Sequence, residues 1–150
     1  MTDGTLSHWL AALPALLVLS VAAWGIATAR HNVGLVDIFW SLFLLLAATV
    51  AFLQSPATPR GWLTLALAGT WALRLAGYLA VRNWNAPEDR RYQAIRARNE
   101  PGFAWKSLFL VFGLQAVLAW LVLFLAWVAS LVSLLRGATV ESGRSAADDE

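Results

Sequence analysis

Residues 33–54 read VGLVDIFWSLFLLLAATVAFLQ, and this stretch decides the fold. It holds a single charged residue, Asp37, and its apolar residues surround the helix instead of forming one stripe. At 1.5 Å per residue, a helix of this length spans the roughly 30 Å of hydrocarbon in a lipid bilayer. We therefore predict a transmembrane α-helix here and not the half-polar helix of a soluble domain.

Three other stretches have the same character, and together they predict an all-α, multi-pass transmembrane helical bundle. Its four spans are residues 9–29, 33–54, 61–81 and 107–130. The fourth stretch stays apolar until Leu135, so it tilts, kinks near Gly113 and Gln115, or ends early among the headgroups. We assign residues 1–136 to the transmembrane domain. Residues 137–150 have little apolar surface to bury, which predicts a disordered polar tail.

The composition agrees with membrane insertion and excludes several function classes. The 150 residues are 59% hydrophobic and 13% charged, whereas a soluble domain is roughly 25% charged. The net charge of +2 raises the question of nucleic acid. Membrane topology already accounts for the basic residues, so we expect membrane lipids and not nucleic acid as partners. With no cysteine and two distant histidines, we expect no metal site.

The first span also has features of a cleavable signal sequence, because Ala27-Thr28-Ala29 resembles a small-residue cleavage site. Against this, no Lys or Arg precedes Trp9, and the apolar run is longer than the core of a typical signal peptide. A retained transmembrane helix is the favoured interpretation.

The basic residues of the loops predict the orientation, because Lys and Arg are enriched in cytoplasmic loops. Seven basic residues lie on one side of the membrane, in or beside the loop between spans one and two and the loop between spans three and four. They are Arg30, Arg82, Arg90, Arg91, Arg96, Arg98 and Lys106. Those on the opposite side are Arg60, Arg136 and Arg144. We therefore expect a bacterial inner-membrane protein with its N-terminus outside and both basic loops in the cytoplasm.

The loop between spans three and four predicts a short amphipathic helix near residues 87–98. Pro87 suits its first turn, and Glu88 and Asp89 suit the positive end of its dipole. Tyr92 and Ile95 form a narrow apolar strip among arginines, which favours a helix on the membrane surface. These arginines bind either lipid headgroups or the phosphates of a cofactor.

Two charged residues, Asp37 and Arg74, lie inside predicted spans. An ionisable group in hydrocarbon costs at least about 2.5 kcal/mol, so it usually faces the bundle interior and has a partner. Because spans two and three are antiparallel, both charges approach the same membrane surface. They either share a polar cavity or form an ion pair that only fixes helix packing. A further alternative is that Asp37 reaches the water among the headgroups.

Span three carries a polar stripe, since Arg74, Tyr78 and Arg82 follow each other at intervals of four residues and share one helix face. Two guanidinium groups and a phenol suit an anionic or carbonyl-bearing ligand. The alternative is that Arg82 extends to the interface and that Tyr78 belongs to the aromatic belt.

Four motifs follow one another in a recognisable order: VDIFW at 36–40, WALRLAGYLAVR at 71–82, EDRRY at 88–92 and KSLFLVF at 106–112. Over roughly residues 30–130 this series resembles the bacterial membrane proteins of unknown function related to steroid 5-alpha-reductases, within the wider isoprenylcysteine-methyltransferase-like group. The resemblance implies a membrane oxidoreductase that uses NADPH to reduce a conjugated double bond in a lipid-like enone. Within it, Tyr78 is the candidate catalytic donor and Arg82 the candidate cofactor residue. Asp37, Trp40 and Arg74 would line the substrate cavity.

The sequence departs from this group after its first half. Members continue into further spans with an Arg-His-Pro-Asn-Tyr-like motif, whereas here no His follows His31 and no Pro follows Pro101. We expect a truncated product, a half that needs a partner subunit, or a relative without catalysis, and in each case no activity of the chain alone. The alternatives are a non-catalytic membrane scaffold or subunit and a small transporter. The absence of charge in span one argues against the transporter.

Overall fold

The computed structural model describes the backbone of residues 2–148 and the side chains of residues 10–129, 132 and 133. Its helices are α1 (Thr2–Ala29), α2 (Val36–Leu53), α3 (Pro59–Asn83), α4 (Arg90–Asn99), α5 (Phe103–Ser107) and α6 (Leu114–Asp148). A 3-10 turn, Val33–Leu35, precedes α2, and a π-helical stretch, Leu108–Gly113, joins α5 to α6. No strand occurs between residues 2 and 148, so the predicted all-α class is confirmed.

Within the described chain, four helical segments are long and apolar enough to cross a membrane. They are Leu10–Ala29, Val33–Leu53, Pro59–Asn83 and Phe103–Ala129. The four predicted spans are thus confirmed, although the fourth segment begins four residues earlier than expected. These segments fit a multi-pass membrane protein.

The core of the bundle is formed by α1, α2 and α6, while α3 packs mainly against α2. In the middle of the bundle, Leu16 and Phe43 pack with three alanines, Ala47, Ala116 and Ala119. Small residues at these contacts allow the helix backbones to approach closely, which is how membrane helices gain packing energy. The buried Ser41 hydroxyl donates to the Ala72 carbonyl over 3.0 Å and ties α2 to α3.

The fourth segment is distorted near the position expected from its sequence, because the π-helical stretch ends at Gly113. A Cβ atom at Gly113 would lie 3.1 Å from the Leu108 carbonyl oxygen. The absence of a side chain at Gly113 therefore permits the wider π-helical turn. Such π-helical turns are a common cause of helix distortion.

Two parts of the secondary structure differ from the sequence prediction. Helix α4 begins at Arg90, three residues later than expected, because the Asp89 side chain accepts a hydrogen bond from the Arg91 N–H and caps the helix. Helix α6 continues through the predicted disordered tail to Asp148, a segment containing several good helix formers. Residues 149 and 150 lie outside the described residues, and the division into membrane domain and tail stays a prediction.

Candidate functional site

Two loops meet at one end of the bundle, and Asn32 joins them. Helix α1 ends in a tight turn in which His31 has a φ of 50° and the Asn32 N–H donates to the Ala27 carbonyl over 3.0 Å. The Asn32 side chain then accepts from the Gly34 N–H over 3.0 Å and donates to the Ala86 carbonyl over 3.0 Å. The turn before α2 is therefore fixed to the loop after α3.

Glu88 makes a second connection between the same loops. Its carboxylate accepts from the Val33 N–H over 2.8 Å and from two nitrogens of Arg96 over 2.8 and 2.9 Å. Burial acts to raise the pKa of Glu88, but these hydrogen bonds outweigh burial and hold its pKa below the ordinary value. The Arg96 guanidinium also lies 4.7 Å from the centre of the Phe103 ring, so it links α4 to the start of α5.

Asp37, at the beginning of α2, receives the third connection. The Tyr92 hydroxyl donates to Asp37 Oδ1 over 2.9 Å, and the Arg91 guanidinium lies 3.7 Å from Asp37 Oδ2. Arg91 also pairs with Asp89 over 3.1 Å. Burial, followed by the hydrogen bond to Asp37, raises the pKa of the Tyr92 phenol, so Tyr92 remains protonated at neutral pH and acts as a donor.

These contacts surround a cavity of about 270 Å³ between the ends of α2 and α3. Its lining consists of Asn32, Gly34, Asp37, Arg82, Asn83, Ala86, Pro87, Asp89 and Arg91. Most polar side chains of this lining already take part in the hydrogen bonds and ion pairs that connect the two loops, which we call the network. Arg82 and Asn83 differ, because neither side chain forms a hydrogen bond with another described residue. The cavity therefore offers two uncommitted donors to a ligand.

The structure brings only part of the predicted site together. Asp37 and Arg82 line the cavity. Trp40 is half-buried and packs against the middle of the bundle. Arg74 and Tyr78 lie on an exposed face of α3 and are not part of the cavity lining. Asp37 has Tyr92 and Arg91 as its partners, and among the described residues it neither shares the cavity with Arg74 nor forms an ion pair with it.

Sequence reasoning missed three residues that connect the loops, Asn32, Glu88 and Tyr92, and one residue that lines the cavity, Asn83. The sequence pattern places Tyr92 in an apolar strip and Glu88 near the positive end of the helix dipole. A usable signal was present, since an apolar strip on a basic helix directs its one tyrosine toward the bundle. The carboxylate of Asp37 at the start of α2 is a candidate acceptor for that tyrosine.

The arrangement is suited to binding an acceptor-bearing ligand at a membrane surface. Asp37 and Asp89 pair with Arg91. Asp89 also attracts Arg82 electrostatically, but among the described side chains Arg82 donates no hydrogen bond to a carboxylate. A carbonyl or anionic oxygen in the cavity would therefore meet Arg82 and Asn83 as donors, and hydrogen bonds from a charged donor are the stronger kind.

Comparison with known proteins gives one match. No curated protein and no solved structure matches the chain. The model of one family, described as "Protein of unknown function (DUF1295)", matches residues 23–136 and so includes both loops, α4 and the whole cavity. The chain belongs to the DUF1295 family.

Proposed function

We propose that this chain is the substrate-binding part of a membrane oxidoreductase that reduces a conjugated double bond in a lipid-like enone. The observation that carries the proposal is the pair of uncommitted donors, Arg82 and Asn83, in a cavity at the end of apolar helices. An enone with an apolar body matches this arrangement. Its carbonyl accepts hydrogen bonds in the cavity while its hydrocarbon part stays between the membrane helices.

The two donors supply a chemical rationale for activation. Hydrogen bonds to the carbonyl withdraw electrons from the conjugated double bond and make its β-carbon more electrophilic. The family resemblance implies a cofactor-binding role for Arg82, whereas here we assign it this polarising role. Tyr78, the donor favoured by the sequence, is 61% exposed on α3 and does not line the cavity. Asp37 and Tyr92 brace the cavity wall through their hydrogen bond.

The residues around the cavity do not fit a whole NADPH molecule. The cavity has a volume of about 270 Å³, which is below the roughly 300–1,000 Å³ of ordinary small-molecule pockets. In addition, two carboxylates, Asp37 and Asp89, line the space that phosphates would need. We therefore assign no hydride-transfer step to these residues. Any NADPH used by the proposed enzyme must be bound mainly by residues outside the cavity.

Replacing Arg82 by Met should weaken enone binding strongly while keeping the length of the side chain. A lost hydrogen bond from a charged donor is worth about 1.5–3 kcal/mol, so we expect the Kd to rise about 10-fold to 100-fold. The measurement is quenching of tryptophan fluorescence when a steroidal 4-en-3-one is titrated into the purified protein in nanodiscs. Arg98→Met, on the exposed side of α4, is the matched control and should leave the Kd unchanged.

Two further titrations make this test specific. A steroid of the same skeleton without the 3-carbonyl should bind wild type and Arg82→Met equally. NADPH should produce no binding signal with the chain alone. Equal Kd values for the 4-en-3-one in wild type and Arg82→Met would reject the carbonyl site, and tight NADPH binding would reject the conclusion drawn from the cavity's size and lining.

A second candidate function, a non-catalytic scaffold or subunit, is favoured by one observation. Among the described residues, no buried side-chain nitrogen or oxygen lacks a hydrogen-bond partner. Such a fully satisfied network stabilises a structure without any ligand. A protein that binds no steroidal enone and reduces none when supplied with NADPH and its membrane partners would favour this candidate.

A further inference from the structure

Helix α3 has an unusual combination of exposure and polarity. It is the least buried of the four candidate spans. In its most apolar part 11% of the residues are buried, whereas the values for the other three spans, in chain order, are 28%, 33% and 22%. It is also the least apolar, with a mean hydropathy of 1.3 against 2.2, 2.2 and 2.6. A helix whose surface faces lipid should be the most apolar of a bundle, because hydrocarbon cannot satisfy polar groups. The exposed face of α3 has the composition of a face covered by protein.

Arg74 is the residue that most requires a partner on this face. Ala72 is buried against the rest of the bundle, and two residues further along, at 100° per residue, Arg74 lies on the opposite side of α3. Among the side chains that the structure describes, Arg74 forms no ion pair or hydrogen bond. A charged residue within hydrocarbon is almost always paired or faces a polar cavity.

We propose that the outer face of α3, formed by Trp71, Arg74 and Tyr78, docks a transmembrane helix that carries a carboxylate at the depth of Arg74. Trp71 is 47% exposed and Tyr78 61% exposed, so both rings provide contact area beside the guanidinium. The Tyr78 hydroxyl lies one turn from Arg74 and is a second donor to the same partner. The proposal does not depend on the reductase chemistry, because none of the three residues lines the cavity between the ends of α2 and α3.

Depth argues for a helix over a lipid headgroup as the occupant. Arg74 is nine residues, or about 13 Å, from the nearer end of α3 at Asn83, which is farther than an extended arginine reaches. Its Cα–Cβ bond also tilts toward the N-terminus of the helix, away from that surface. A carboxylate on a neighbouring helix meets the guanidinium at its own depth.

Charge argues against a second copy of the chain. Two copies with the same orientation, related by an axis along the membrane normal, would bring Arg74 of each copy to the same depth on facing surfaces. Like charges facing each other in a low-dielectric medium repel strongly. The partner must instead carry the opposite charge on this face.

The experiment uses a synthetic probe, a Leu/Ala transmembrane peptide with one Glu at its midpoint, beside otherwise identical peptides with Gln or Leu there. The native sequence has no cysteine, so one introduced cysteine on α4 carries the donor dye. Energy transfer to labelled peptide is measured in phosphatidylcholine vesicles. We expect the Glu peptide to associate about 3-fold to 20-fold more tightly than the Leu peptide, the range of interhelical hydrogen bonds in membranes.

Variants of Arg74 identify the face. Arg74→Leu should remove the preference for the Glu peptide, and Arg98→Leu, outside the spans, should retain it. Arg74→Glu should transfer the preference to a peptide with Arg at its midpoint, which a merely misfolded variant would not do. Circular dichroism checks that each variant keeps its helical content.

Four outcomes would overturn the proposal. The Glu and Leu peptides associate equally with wild type, or the preference survives Arg74→Leu. The labelled protein self-associates through Arg74 without any peptide, in which case a second copy is the occupant. Alternatively, phosphatidylglycerol displaces the Glu peptide in an Arg74-dependent way, in which case the face binds an anionic lipid.

Discussion

Replacing Glu88 by Ala should destabilise the protein by about 2–4 kcal/mol, the largest effect expected of any polar side chain that the structure describes. The substitution removes both hydrogen bonds from Arg96 and leaves the buried Val33 N–H without an acceptor. The Glu88 side chain is only 10% exposed, so water replaces these bonds poorly, and an unsatisfied buried donor alone costs about 1–3 kcal/mol. The measurement is unfolding of the micelle-bound protein by sodium dodecyl sulfate, followed by circular dichroism.

Its control is Glu100→Ala, an exposed carboxylate at the other end of α4 that should change the unfolding free energy little. The pH dependence gives a second readout. Because the pKa of Glu88 is lowered in the folded protein, its stabilisation is complete above the ordinary glutamate pKa of about 4.3. That stabilisation is lost as the pH falls below this value. Wild type should therefore lose more stability than Glu88→Ala on acidification, and parallel losses would contradict the assigned role.

Replacing Phe103 by Ala should cost about 3 kcal/mol, the second large effect. Phe103 is 1% exposed at the start of α5, in the cluster that contains Val33, Leu35 and Phe112. Truncation of a buried phenylalanine leaves a cavity and removes dispersion contacts. It also removes the ring beside the Arg96 guanidinium, a contact worth about 1 kcal/mol.

Phe109→Ala is the matched control, since the same substitution acts six residues later on a ring that is 73% exposed. Its unfolding free energy should stay within about 1 kcal/mol of wild type, because a lipid-facing ring loses few protein contacts. Similar losses in both variants would contradict the packing of Phe103 into the core.

The fold could be predicted almost entirely from sequence because hydrocarbon leaves few alternatives. Long stretches without charge must satisfy their own backbone groups as helices, so the four spans follow from length and composition. The boundaries were less predictable. The start of α4 depends on the Asp89 side chain capping Arg91, and the earlier start of the fourth segment depends on Phe103 packing into the core. Both are contacts that hydropathy does not describe.

The candidate site could be predicted only in part, because its contacts cross between distant loops. Depth in the span indicates that Asp37 needs a polar partner, and the sequence offers Arg74 as one candidate, in a shared cavity or as an ion pair. The tertiary structure instead supplies Tyr92, which is 55 residues away along the chain. Asn32 escaped notice because an asparagine beside a helix end is ordinary in any loop, and only its bond to Ala86 gives it a role.

The central claim is that the loops at residues 30–35 and 83–99 meet on one membrane surface, which we propose to be cytoplasmic, while residues 54–58 lie on the other. The most direct test is labelling of single cysteines with a membrane-impermeant maleimide, which the cysteine-free sequence makes simple. In intact bacterial cells Ala57→Cys should react, whereas His31→Cys and Ala97→Cys should react only in inverted membrane vesicles. Labelling of Ala57→Cys and Ala97→Cys from the same side, or of His31→Cys and Ala97→Cys from opposite sides, would contradict the arrangement of spans on which the site depends.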